Sequence, residues 1–140
     1  MGMIEINRVF LDTAIFIYYL EKNDLYYSKA KDIFAKCLKN NVDIVTSTIT
    51  YQEYCVMPYR TGENNMIINF NRLINVLKIK IFDISIEIAN DAAMLRAKYS
   101  GIKSMDAIQL ATAIVSECDV FYTNDKQLLQ VKELNVEVLE

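Results

Sequence analysis

Short apolar runs and helical stripes alternate along this chain. Residues 8–11 carry the block Val9-Phe10-Leu11, which has the length and composition of a buried strand. Over residues 13–21, Ile15, Tyr18 and Tyr19 recur at helical spacing. Over residues 28–39, Ala30, Ile33, Phe34, Cys37 and Leu38 share one helical face, and Asn40-Asn41 ends the stripe. Residues 42–46 form the next strand. A helix carrying Tyr51, Tyr54 and Cys55 begins at Thr48 or Thr50 and is expected to stop or kink near Met57, ahead of Pro58. Ile67, Phe70, Ile74 and Leu77 mark a helix over 65–77. Residues 78–83 alternate charge and hydrophobe, as a strand with one wetter face does. A helix over 85–99 closes on Ser100-Gly101. A strongly apolar helix follows over 104–117, then a strand over 120–122, a short helix over 125–131 and an edge strand over 136–139.

Strands alternating with helices or helix pairs mean an α/β fold with a mainly parallel sheet. Nothing along residues 1–140 marks a repeat or a second core, so one domain is expected. No stretch approaches the roughly 18 uncharged apolar residues of a membrane span. The N-terminus has no apolar leader core, and Met3 is as good a natural start as Met1, with Met1-Gly2 then a cloning remnant. Cys37, Cys55 and Cys118 are odd in number and set in apolar stripes, the pattern of buried thiols in a reducing compartment, so a cytoplasmic protein is expected.

Composition removes more than it adds. The chain has no histidine. Ser-His-Asp, Cys-His and histidine-pair ribonuclease chemistry are therefore excluded, leaving carboxylate, Lys, Tyr and Cys for acid–base and metal work. A net charge of -3 argues against a broad basic surface for nucleic acid, though not against a local basic rim around a metal centre.

In a parallel sheet the functional positions lie beyond the carboxyl ends of the strands. Asp12 follows the first strand directly. Glu53 stands about one turn into the helix after the second, Asp106 opens the apolar helix, and Asp125 comes just after the strand over 120–122. Each acid has a plainer explanation. Thr50-Tyr51-Gln52-Glu53 fits a capping box, Asp106 suits a first helical turn, and Asp12 and Asp125 suit cap or turn positions. None of those explanations requires all four to face one point. Carboxylates brought together oppose each other's ionisation unless a cation intervenes. Mg²⁺ or Mn²⁺ would accept such hard oxygen ligands and support phosphodiester hydrolysis without histidine.

Val9-Phe10-Leu11-Asp12-Thr13, Thr48-Ile49-Thr50-Tyr51-Gln52-Glu53, Met105-Asp106-Ala107-Ile108-Gln109-Leu110-Ala111-Thr112-Ala113 and Tyr122-Thr123-Asn124-Asp125 stand in this order along the chain. Taken together, these four segments resemble the PIN domain, and within it the VapC-like toxin ribonucleases of type II toxin–antitoxin pairs. The resemblance implies a three-layer PIN-like fold, with about five mainly parallel strands and helices on both faces. It implies metal-dependent endonucleolytic cleavage of RNA, with one or two Mg²⁺ or Mn²⁺ ions and Asp12, Glu53, Asp106 and Asp125 as the acidic set. Thr13, Ser47 and Thr123 match positions where such proteins place a hydroxyl near the site. Ala14 departs from the usual polar residue there. Arg60, Lys103 and Lys126 are the nearby cations by sequence, candidates for RNA contact.

Residues 15–27 hold more aromatic and apolar surface than one helix face buries. Phe16, Tyr18, Tyr19, Tyr26 and Tyr27 are the expected groove for a partner. The resemblance makes that partner an antitoxin protein, and implies a homodimer. The alternatives are an inactive PIN-like binding module and an RNA-processing or DNA-directed nuclease of the same fold. An aspartyl-phosphate phosphatase would want a second Asp where Ala14 stands.

Overall fold

The computed structural model describes residues 5–140; the alternative start at Met3 lies outside the described residues. The elements follow as β1 (Arg8–Leu11), α1 (Thr13–Leu20), α2 (Tyr27–Lys39), β2 (Asp43–Ser47), α3 (Thr48–Thr61) and α4 (Asn64–Val76). After these come β3 (Lys80–Phe82), α5 (Ile86–Lys98), α6 (Ser104–Val115), β4 (Val120–Thr123), a 3-10 turn (Lys126–Gln130) and β5 (Val136–Val138). The five strands form one parallel sheet in the order β3-β2-β1-β4-β5.

Strand geometry explains the three layers. Successive side chains of a strand point to opposite faces. Val9 and Leu11 enter one core with Ile44 and Val120, covered by α1 to α4. Phe10 enters the other with Val45 and Phe121, covered by α5, α6 and the 3-10 turn. Phe10 and Phe121 are register partners whose rings stack at 5.0 Å. The central strands are apolar on both faces because both faces are covered. The edge strand β3 is only half-buried, as its alternating charges predict. Burial pushes the Cys37 and Cys118 thiols up to about 11, which fits inert core residues.

Two expectations need correcting. Helix α3 does not end before Pro58 but runs through it to Thr61. Pro58 is buried on the core side of the helix and lies in its last turns, so packing outweighs the one backbone hydrogen bond proline cannot donate. Phe16 cannot line a partner groove, because it is completely buried, its ring edge-on to Phe34 and Phe70. The tyrosines of that stretch are half-buried and pair with each other, Tyr18 with Tyr26 at 4.8 Å and Tyr19 with Tyr27 at 5.7 Å. Among the described residues no helix is long and apolar enough to cross a membrane.

Candidate active site

The chain runs outward from β1 to β2 and β3, then returns through α5 and α6 to place β4 on the other side of β1. The switch in direction leaves a crevice beyond the carboxyl ends of β1 and β4. Asp12 and Asp125 both line a cleft there of about 500 Å³, together with Ala14, Tyr18, Thr123 and Lys126.

Asp12 is the N-cap of α1, and Oδ1 accepts from the Thr13 backbone N–H at 2.9 Å. The same oxygen accepts from Gln109 Nε2 at 3.3 Å, while Oδ2 accepts from the Thr123 hydroxyl at 2.8 Å. Burial nevertheless holds its carboxyl above the ordinary range, the three donors oppose that rise, and the charge of Glu53 adds to it.

Asp106 is half-buried in the first turn of α6, and its pKa is pushed up to about 6. Burial is the largest cause. The charges of Asp12, Asp125 and Glu53 follow, with Lys103 acting the other way. The charges of the other three predicted carboxylates therefore all reach Asp106, and that of Glu53 also reaches Asp12, although their positions in the chain are far apart. Among the described residues, no three acidic or thiol side chains close up into a ready-made metal cluster. The donor set still suits Mg²⁺ or Mn²⁺, which take only one or two carboxylates directly and keep several of their own waters.

Glu53 is not the partner in a capping box. Helix α3 starts earlier, with Ser47 as its N-cap accepting from the Ile49 N–H at 3.1 Å. Glu53 instead stands exposed, and its Oε1 accepts from the Thr13 hydroxyl at 2.6 Å. Asp125 does serve as the N-cap of the 3-10 turn, accepting from the Gln127 N–H at 3.0 Å, and still lines the cleft.

Of the predicted hydroxyls, Thr123 donates to Asp12 and Thr13 to Glu53, while Ser47 donates to Gln109, a residue to which the sequence assigned no role. Gln109 is 1% exposed. Its Nε2 donates to Thr50 Oγ1 at 2.7 Å as well as to Asp12, and its Oε1 accepts a short hydrogen bond from Ser47. The Thr50 and Thr46 hydroxyls are 2.8 Å apart, and Thr46 donates to the Leu11 carbonyl at 2.9 Å. One amide thus ties β2, α3 and α6 to Asp12. The available signal was spacing, since Gln109 follows Asp106 by three residues and so shares its helix face. Ala14 costs Asp12 nothing, because its two oxygens already have three donors.

The predicted cations divide. Lys126 lines the cleft, and Lys103 is close enough to Asp106 to lower its pKa. Arg60 is exposed in the last turn of α3, at the far end of that helix from Ser47.

The sequence profile described as PIN domain matches residues 9–134. No curated protein sequence matches the chain. Among solved structures, VapBC2 from Rickettsia felis bound to a promoter DNA fragment superposes with a TM-score of 0.71 at 20% identity, over 95% of this chain and 99% of that one. A toxin–antitoxin complex from Klebsiella pneumoniae gives 0.70 at 24% identity, over 94% and 98%. VapC20 from Mycobacterium tuberculosis, described as a sarcin-ricin loop cleaving toxin, gives 0.65 at 13% identity, over 84% and 89%. At such identities the likeness is one of fold.

Proposed function

The chain belongs to the PIN domain family, and from that premise we propose that it is a metal-dependent endoribonuclease acting as the toxin of a type II toxin–antitoxin pair. The observation that carries the proposal is that Asp12 and Asp125 line one cleft at the switch point of the sheet, while their charges and that of Glu53 all reach Asp106. The structural neighbours solved as toxin–antitoxin complexes, and one described as a sarcin-ricin loop cleaving toxin, support the class.

Asp12 and Asp106 are the residues that would hold Mg²⁺ or Mn²⁺, with Asp125 completing the set or holding a second ion. Bound there, the ion would polarise the phosphodiester and make water a better nucleophile. Asp12 is already fixed by its three donors and needs little rearrangement to serve as a ligand. Glu53, tethered through Oε1 by Thr13, has Oε2 to accept a proton of the attacking water and aim it in line. Cleavage would leave 3′-hydroxyl and 5′-phosphate ends.

A single domain carries all of this, with RNA as substrate and a homodimer in a cytoplasmic setting. The antitoxin segment would pack near the half-buried Tyr18, Tyr19, Tyr26 and Tyr27, and a basic antitoxin residue entering the acidic site would block the metal.

The test is purified protein incubated with tRNA and rRNA, with Mg²⁺ or with chelator. Cleavage is expected only with the metal. Asp12→Asn should lower it at least about 100-fold, since losing even an outer partner of a metal ligand costs 10- to 100-fold. Its circular dichroism should be unchanged. An Asp12→Asn protein that cleaves at the wild-type rate would overturn the assignment.

A further inference from the structure

The mouth of the cleft holds an ion pair that the acidic site does not explain. Glu140 and Lys126 both line the cleft, beside Asp12 and Asp125. Glu140 Oε2 lies 2.7 Å from Lys126 Nζ, and Oε1 accepts from the Tyr26 hydroxyl at 2.7 Å. Lys29 reaches the same corner. Its Nζ donates to the Leu139 carbonyl at 2.6 Å, and its charge acts on the Glu140 carboxylate. The position of Glu140 is set by the backbone: Leu139 is buried and its N–H donates to the Thr123 carbonyl at 3.2 Å, continuing the pairing of β5 with β4.

One ammonium and one phenol therefore hold a two-oxygen anion at the edge of the cleft, with a second ammonium nearby on the Leu139 carbonyl. A phosphodiester offers the same thing, two anionic oxygens that accept from cationic and hydroxyl donors. A polyanion approaching this mouth meets Asp12, Asp125 and Glu140, and Lys126 is the cation lining it. We propose that Lys126, the Tyr26 hydroxyl and Lys29 form a seat for an RNA phosphate flanking the scissile one, and that the Glu140 carboxylate fills that seat in the free protein. The inference rests on the ribonuclease reading above. It adds a substrate subsite and a built-in competitor for it. The lysine and glutamate side chains of the pair are 66% and 41% exposed, so solvent screens their attraction and RNA can displace the carboxylate.

The experiment measures binding of a short fluorescein-labelled single-stranded RNA by anisotropy, in chelator so that nothing is cut, across a salt series. Glu140→Gln should bind RNA about two- to fivefold more tightly than wild type, the range a screened surface pair allows. Its plot of log affinity against log salt should be steeper by up to about 0.7, the increment for one added phosphate contact on a single strand. The double variant Lys126→Ala/Glu140→Gln should lose both gains. Glu140→Gln with wild-type affinity and slope overturns the inference. So does a gain that survives in the double variant, because it would then be a general charge effect and not a seat at Lys126. Wild-type protein that binds and cleaves RNA while Glu140→Gln changes nothing sinks this inference alone. Wild-type protein that neither binds nor cleaves RNA sinks the ribonuclease reading and this inference with it.

Discussion

Asp106 feels two opposing influences. Its place in the first turn of α6 favours the charged form by about 0.3–1 kcal/mol. Burial and three neighbouring carboxylates oppose it, and they win, since the pKa moves from 3.8 up to about 6. The folded chain therefore holds a proton between those values that the unfolded chain has released. The stability this adds is complete below the unfolded value and is lost as the pH rises through about 6. With no histidine in the chain, no imidazole titrates across that window. Metal-free protein should melt higher near pH 5 than near pH 7 as far as Asp106 decides it. Asp106→Asn should flatten that dependence and raise Tm at neutral pH by roughly 2–4 °C, the shift about 1 kcal/mol gives after discounting for solvent. Calorimetry in chelator checks both, and an Asp106→Asn protein that melts lower at neutral pH contradicts the repulsion. Gln109 makes the opposite case, a buried polar group whose partners are all met. Gln109→Met keeps the volume but takes the acceptor from Ser47 and one donor each from Thr50 and Asp12. Stability should fall by about 1–3 kcal/mol in urea unfolding, and RNA cleavage should fall with it.

Helix α3 shows what could be read in advance and what could not. Its existence and its tyrosine face follow from periodicity, but its two ends do not. At the start, Thr50-Tyr51-Gln52-Glu53 has the pattern of a capping box, and three residues earlier Ser47 takes the cap because β2 runs on to that residue. Thr50 thus falls inside the helix with its hydroxyl buried, and Glu53 is released to meet Thr13 from α1. Such a contact spans forty positions and has no local signature. Near the other end Pro58 is a breaker by its chemistry, yet the true stop is Gly62, at φ +71° and ψ 20°. The two ends predict different outcomes for similar losses of stability. Gly62→Ala forces a side chain into a left-handed conformation and should cost about 1 kcal/mol, with cleavage unchanged, because nothing of the site lies there. Ser47→Ala loses the cap, again about 1 kcal/mol, and also removes the donor to Gln109. It should lower cleavage as well as stability. Paired urea titrations and single-turnover assays separate the two, and equal effects on cleavage would mean that α3 matters only as a whole.

At the scale of the molecule, the α/β class and the parallel sheet were legible because strands and helices alternate and the central strands are apolar throughout. The strand order was not, since it depends on which edge each crossover returns to. That order is what sets Asp12 beside Asp125, so the crevice became visible only with the sheet assembled. For the proposed RNA substrate the consequence is electrostatic. The protein carries a net charge of -3 and presents a cleft lined by Asp12, Asp125 and Glu140, which argues against affinity from a broad basic surface. Lys103 and Lys126 stand at the acidic site, and Lys126 is already paired with Glu140. Neutralising one to three phosphates of a single strand gives a slope of log affinity on log salt between about -1 and -2. Wild-type protein in chelator should fall in that range, with weak binding at physiological salt that tightens when Mg²⁺ is restored and offsets the carboxylates. A slope steeper than about -4 would require six or more phosphate contacts. The RNA would then have to run over a basic face remote from the crevice, and the acidic site would no longer be where substrate is held.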